Sequence, residues 1–187
     1  QVIQTIDVDA DRQVCDVVKG RDGKFYAVVA GKIDKTANPF WMWGTTATSS
    51  ASVLTIDPQT YATTERTLAI EGLPMVSVGN GLYGCMACAS ATSDELFIKQ
   101  EGYSATQIYR YDCQTGKTSV FATTSRSLAK YMTATPDGLL YVPTTDFYHV
   151  YTEVYRISDG TRMTGVESRI GKVAGDGGIV STYSFAE

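Results

Sequence analysis

The stretch Gln107-Ile108-Tyr109-Arg110-Tyr111-Asp112-Cys113-Gln114-Thr115-Gly116 decides the fold, because it reads as a strand ending in an acidic turn and it has relatives within the chain. Ser52-Val53-Leu54-Thr55-Ile56-Asp57-Pro58-Gln59-Thr60 repeats it upstream, and Glu153-Val154-Tyr155-Arg156-Ile157-Ser158-Asp159-Gly160-Thr161 repeats it downstream. A fourth copy, Val2-Ile3-Gln4-Thr5-Ile6-Asp7, opens the chain. Asp57 and Asp112 are 55 residues apart and Asp112 and Asp159 are 47 apart, a period of the size that marks repeat architectures.

A second piece recurs in step with the first. Arg21-Asp22-Gly23 precedes the apolar run Lys24-Phe25-Tyr26-Ala27-Val28-Val29, and Pro136-Asp137-Gly138 precedes Leu139-Leu140-Tyr141-Val142. Ser93-Asp94-Glu95 before Leu96-Phe97-Ile98 is a looser copy, and Gly79-Asn80-Gly81 before Leu82-Tyr83 competes with it for the same slot. Each unit therefore reads strand, Asp-Gly turn, strand, variable loop, strand, acidic turn, strand, which is a four-stranded antiparallel meander. One meander cannot bury both of its faces, so the expected architecture is an all-β propeller of stacked blades, with an irregular β-sandwich as the alternative. The blades run over roughly 15–69, 70–127 and 128–168, with half-blades at 1–14 and 169–187. That is about four blades' worth of chain. Pairing the two ends would close a four-bladed ring, while the start at Gln1, without Met, favours the C-terminal part of a larger one with its N-terminal half missing.

Composition agrees with strands. Among 187 residues there are 24 Thr, 17 Val and 12 Tyr against 8 Leu, and β-branched and aromatic side chains fit a pleated, half-buried surface. With 43% apolar and 19% charged residues the chain is not of a disordered class. A net charge of −4 without a Lys/Arg cluster argues against nucleic acid as partner. No apolar run reaches the roughly 18 residues of a transmembrane helix. The cysteines are Cys15, Cys85, Cys88 and Cys113. The Cys85-Met-Ala-Cys88 spacing lacks the second ligand pair of a zinc site, so buried free thiols are expected, and no metal or cofactor is called for.

Asp22-Gly23-Lys24-Phe25-Tyr26, Ile56-Asp57-Pro58-Gln59-Thr60 and the closing Gly177-Gly178-Ile179-Val180-Ser181-Thr182-Tyr183-Ser184-Phe185 together resemble the YncE-like or surface-layer propellers of Bacteroidetes, especially their domain of unknown function numbered 5074. That resemblance implies a secreted or lipid-anchored protein of about seven blades, acting at the cell surface or in the periplasm. One branch of the family captures cobalamin for an outer-membrane transporter. The chain is too short for seven blades.

Binding residues are sought on the long loops, where a rigid scaffold leaves side chains free to meet a ligand. Asn38-Pro39-Phe40-Trp41-Met42-Trp43-Gly44 holds both tryptophans of the chain, whose flat apolar faces suit sugar rings, corrins or a partner protein. Thr144-Thr145-Asp146-Phe147-Tyr148-His149-Val150-Tyr151 occupies the equivalent place in the last blade and carries the single histidine, and Gln100-Glu101-Gly102-Tyr103-Ser104 is the third such loop. The expected reading surface is Phe40, Trp41, Trp43, Tyr103, Tyr148 and His149, weighed against plain packing of the same rings. Asp7-Val8-Asp9-Ala10-Asp11 begins like a calcium loop, but Arg12 and Val18 stand where that loop needs Gly and Glu, so it reads as a hairpin turn. Gly175-Asp176-Gly177-Gly178 precedes a strand, not a helix, and offers no phosphate cradle.

Three functions remain. The leading expectation is a non-catalytic, extracytoplasmic module that binds a small molecule, a glycan or a surface protein through one face. A carbohydrate-active enzyme, lyase or glycosidase, would use paired carboxylates instead. A structural or assembly module would bury the tryptophans against a second chain.

Overall fold

The computed structural model describes residues 2–32, 49–70, 73–74, 86–99, 107–128, 131–146, 148–166, 169–173 and 179–183. Among them every regular element is a β-strand. In the first sheet β1 (Val14–Lys19), β2 (Phe25–Val29), β3 (Ser52–Ile56) and β4 (Thr63–Thr67) pair in sequence order, all antiparallel. The short β5 (Ala69–Ile70) and β6 (Leu73–Pro74) then cross to the second sheet, where β5 joins the outer edge in parallel. That sheet is built from β7 (Met86–Ala89), β8 (Glu95–Lys99), β9 (Gln107–Asp112) and β10 (Thr118–Thr123). After β11 (Ser127–Leu128), the third sheet repeats the meander with β12 (Thr133–Ala134), β13 (Leu139–Thr145), β14 (Val150–Arg156) and β15 (Arg162–Val166). A last pair, β16 (Arg169–Val173) and β17 (Ile179–Tyr183), forms its own antiparallel ladder. Three four-stranded antiparallel sheets are thus present, in the strand–turn–strand–loop–strand–turn–strand order expected from the repeats.

The turns explain why the chain reverses where it does. Between β1 and β2, the Gly20 N–H donates to Lys24 O at 2.8 Å, and Gly23 takes φ 86°, which a glycine adopts without steric cost. Between β12 and β13, Thr135 N–H donates to Leu139 O at 2.9 Å, with Gly138 at φ 80°. Between β7 and β8 the loop is one residue longer: Ser90 N–H reaches Glu95 O at 2.8 Å, and the Ser90 hydroxyl accepts the Ser93 N–H at 3.2 Å. Ser93-Asp94-Glu95 therefore fills the slot for which Gly79–Tyr83 competed; the latter lies outside the described residues.

The acidic turns correct the expected alignment of the third copy. Tyr61 N–H donates to Asp57 O, Gly116 N–H to Asp112 O, and Gly160 N–H to Arg156 O. Arg156, 44 residues after Asp112, is thus the counterpart of Asp57 and Asp112. Asp159 sits three positions further on and caps the Thr161 N–H at 2.9 Å. Identity of residue type misled the alignment, because an Asp can serve a turn from either place. The opening copy also differs: residues 2–9 join no ladder, while Ile6 and Val8 pack on Ala27, Val29 and Leu54 of the first sheet.

Alternation along the strands forms two core layers between the sheets, besides the Ala27, Val29 and Leu54 cluster on the other face of the first. Leu96, Ile98, Tyr109 and Tyr111 of the second sheet face Tyr26, Val28 and Val53 of the first. Phe97 and Ile108, on the opposite face, meet Leu140, Val142 and Tyr155 of the third. The second sheet is therefore buried on both sides, which is why Leu96-Phe97-Ile98 is a continuous apolar run and not an alternating one. First strands stand side by side, β1 against β7 and β7 against β12. Asp16, next to a bulge in β1, accepts the Ala87 N–H of β7 at 2.9 Å.

Candidate functional site

Tyr148 and His149 cap the hairpin between β13 and β14, and the local sequence fixes them there. Asp146 Oδ1 accepts the Tyr148 N–H at 3.0 Å and the His149 N–H at 2.7 Å, an Asx turn that closes the loop. Its other oxygen accepts the Tyr151 hydroxyl at 3.0 Å and lies 3.5 Å from His149 Nδ1. The Thr145 hydroxyl donates to His149 O at 2.8 Å. Led by the His149 N–H, these donors hold the Asp146 carboxyl down at about 2, so it remains a carboxylate. With the Tyr148 and His149 amides anchored, the Tyr148 side chain lies in solvent, 85% exposed.

A cation that the sequence did not single out completes the cluster. Arg126 lies in the connection between β10 and β11, and its guanidinium sits 3.7 Å above the centroid of the Tyr151 ring. His149 meets the same ring at 6.2 Å, edge to face. A stacked guanidinium and an aromatic ring attract each other by about 0.5–1 kcal/mol at an exposed site. Arg126 escaped notice because it stands 25 residues before Tyr151, with no spacing pattern to link them.

Beneath this surface lies Glu153, fully buried, on the face of β14 that meets the second sheet. Its oxygens accept the Ser125 N–H at 3.1 and 3.2 Å, the Ser125 hydroxyl at 2.6 Å and the Thr144 hydroxyl at 3.2 Å. The Tyr155 hydroxyl adds a bond at 2.5 Å, and Arg162 Nε lies 3.9 Å away. Burial alone would raise the Glu153 carboxyl; the Ser125 and Tyr155 donors and the Arg162 charge outweigh it and hold it below its ordinary value. Burial and the neighbouring carboxylate raise the Tyr155 phenol in turn, so it stays a proton donor. The network pins residue 125 and thereby its neighbour Arg126. From the other side, the Thr124 hydroxyl donates to Arg126 O at 2.8 Å, and Ser127 pairs with Thr145 in the sheet.

Of the expected reading surface, the structure sets His149 against the Tyr151 ring that also carries Arg126, and leaves Tyr148 exposed on the same loop. Phe40, Trp41, Trp43 and Tyr103 lie outside the described residues, as does Phe147. Their connections, β2 to β3 and β8 to β9, hold the same place in their sheets as β13 to β14.

Elsewhere the polar groups have structural tasks. The Lys32 ammonium lies 3.1 Å from Asp9 and 3.8 Å from Asp11, and Arg12 N–H closes a turn onto Asp9 O at 2.9 Å. Cys88 and Cys113 have free thiols, and Cys85 is outside the described residues. Burial raises the Cys88 thiol to about 12 and the Cys113 thiol to about 11, which leaves both protonated and unreactive near neutrality. Among the described residues no three His, Cys, Asp or Glu side chains gather to hold a metal ion.

Comparison with known proteins adds no family: no family model matches the chain, and neither does any curated protein.

Proposed function

We propose that the three sheets are blades of a β-propeller and that the protein is a non-catalytic, extracytoplasmic module binding its ligand at the end that bears the β13–β14 hairpin. The propeller reading is supported by a repeated relation between neighbours. Arg66 of β4 donates to Gln114 O in the acidic turn of the second sheet at 2.8 Å, and Arg110 of β9 donates to Ile157 O in that of the third. In both cases an arginine of one sheet, from its fourth strand in the first and its third strand in the second, reaches the acidic turn of the next, as blades stacked about one axis would allow.

The observation that carries the binding reading is the exposed Tyr148, held with His149 on a loop that Asp146 anchors through both of their N–H groups. Side chains presented on a rigid loop lose little freedom on meeting a ligand. A binding role is favoured over catalysis because the two carboxylates described near this end, Asp146 and Glu153, are committed. Asp146 is kept ionised by its backbone donors, and Glu153 is buried under five bonds, so neither is poised to move a proton. The ligand class is a glycan, a small ring-bearing molecule or a surface protein.

Tryptophan fluorescence tests the reading, since both tryptophans lie in the β2–β3 connection. Titration with a panel of neutral and acidic oligosaccharides should change emission saturably, and Tyr148→Ala should weaken that response about tenfold or more. Emission that responds to dilution of the protein and to no added ligand would instead favour an assembly module.

A further inference from the structure

We infer that this end of the molecule takes a carboxylate-bearing sugar, read by the guanidinium of Arg126; the inference rests on the binding role proposed above and specifies its ligand. Arg126 is a cation held in place but not spent. No carboxylate of a described residue lies within ion-pair distance of it, whereas Arg162 compensates the buried Glu153 and Asp146 is engaged by its own loop. Its one side-chain hydrogen bond among the described residues goes to the Ser125 hydroxyl, at 3.3 Å. Arg126 is held with its guanidinium carbon 3.7 Å from the centroid of the Tyr151 ring, and the planar fork of a guanidinium matches a carboxylate in a bidentate pair.

The surroundings favour a ring over a peptide. Tyr148 offers an exposed aromatic face two residues beyond Asp146, and His149 adds a second flat group beside Tyr151. Pyranose rings bind such faces through their C–H surfaces, while the acid group would lie against Arg126. The placement of the cation is itself built in. A buried carboxylate with four donors holds residue 125, the Thr124 hydroxyl holds Arg126 O, and β11 pairs with β13 immediately after. This is more fixation than a solvated surface arginine receives. The relevant chemistry, a carboxylate on a pyranose ring, occurs both in uronate polymers and in terminal sialic acids.

Calorimetric titration of the full chain separates the outcomes. The probes are trigalacturonate with its methyl ester, and sialyllactose with lactose, so that each acid has a neutral partner. At least one acid should bind about tenfold tighter than its partner, and Arg126→Gln should bring the two within about twofold while lowering the melting transition by no more than about 4 °C. Arg126→Lys should restore only part of the difference, because an ammonium lacks the fork. Tyr148→Ala should weaken acid and neutral sugar alike. Equal binding of acids and neutral partners, or a preference that survives Arg126→Gln, overturns the inference and leaves the binding face standing. Hexaglutamate competing as well as the sugars overturns it in favour of an acidic peptide. If no sugar of either kind binds, the glycan form of the proposed function falls with it.

Discussion

At the scale of single residues, one backbone position records how tightly the sheets meet. Gly116 and Gly160 close the acidic turns of the second and third sheets with φ of 77° and 73°. A Cβ on Gly160 would stand 2.4 Å from the Phe121 carbonyl oxygen of the neighbouring sheet, and one on Gly116 would stand 2.7 Å from Arg66 Cδ. The same position in the first sheet is Tyr61, at φ 59° and 41% exposed. Gly138 also has positive φ but open space around it. Replacement by Ala should therefore cost about 1 kcal/mol at Gly138, the left-handed penalty alone. At Gly160 the cost should reach roughly 3 kcal/mol, because a backbone carbonyl must also move. Tyr61→Gly should leave stability within about 1 kcal/mol of the parent, on the stabilising side. Urea midpoints for the three variants give the order directly; a Gly160→Ala as mild as Gly138→Ala would refute the packing described.

At the scale of elements, short acidic loops are held by carboxylates that accept backbone N–H groups. Asp57 takes those of Thr60 and Gln59, Asp112 those of Thr115 and Gln114, and Asp159 that of Thr161. These bonds lower all three carboxyls, as they do at Asp146, where the value is about 2 against an ordinary 3.8. A carboxyl lowered in the folded state stabilises it fully above its ordinary value and loses that contribution as pH falls through its folded value. The β13–β14 loop should accordingly keep its form at pH 4 and open as pH approaches about 2. Amide chemical shifts of Tyr148 and His149 followed from pH 6 to 2 are the measurement, and Asp146→Asn should remove the transition. The acidic turns were legible in the sequence because Asp and Gly have local reasons to sit there. Their third register was not, since Asp159 and Arg156 can exchange tasks without changing the pattern of residue types.

At the scale of the whole molecule, individual polar contacts join the described sheets, and each is open to test. The Asp16 carboxylate reaches from β1 to the Ala87 N–H of β7, beside a core where Ala87 is 8% exposed. Asp16→Ala leaves that amide without its acceptor and should cost about 1–3 kcal/mol, whereas Asp16→Asn, which keeps an acceptor, should cost less. Equilibrium unfolding compares them; equal losses would mean that the bond is not what joins the two strands. The sheets themselves were readable from the repeats, and the burial of Leu96-Phe97-Ile98 on both sides was foreshadowed by an unbroken apolar run. The candidate site was readable only in part. Tyr148 and His149 belong to a loop that the repeat pattern located, but Arg126 and Glu153 belong to no motif.

The sequence by itself determined the strands, their order and the turns that join them, because alternation, β-branched side chains and Asp-Gly reversals act over a few residues. Tertiary structure alone decided which residues of different repeats meet. Glu153 is a surface-type residue in composition, yet stacking of the third sheet on the second buries it and surrounds it with donors from three segments. Arg126 acquires its place on Tyr151 through that stacking. Contacts of this kind depend on the geometry of packed sheets, for which no local pattern of residues is a substitute.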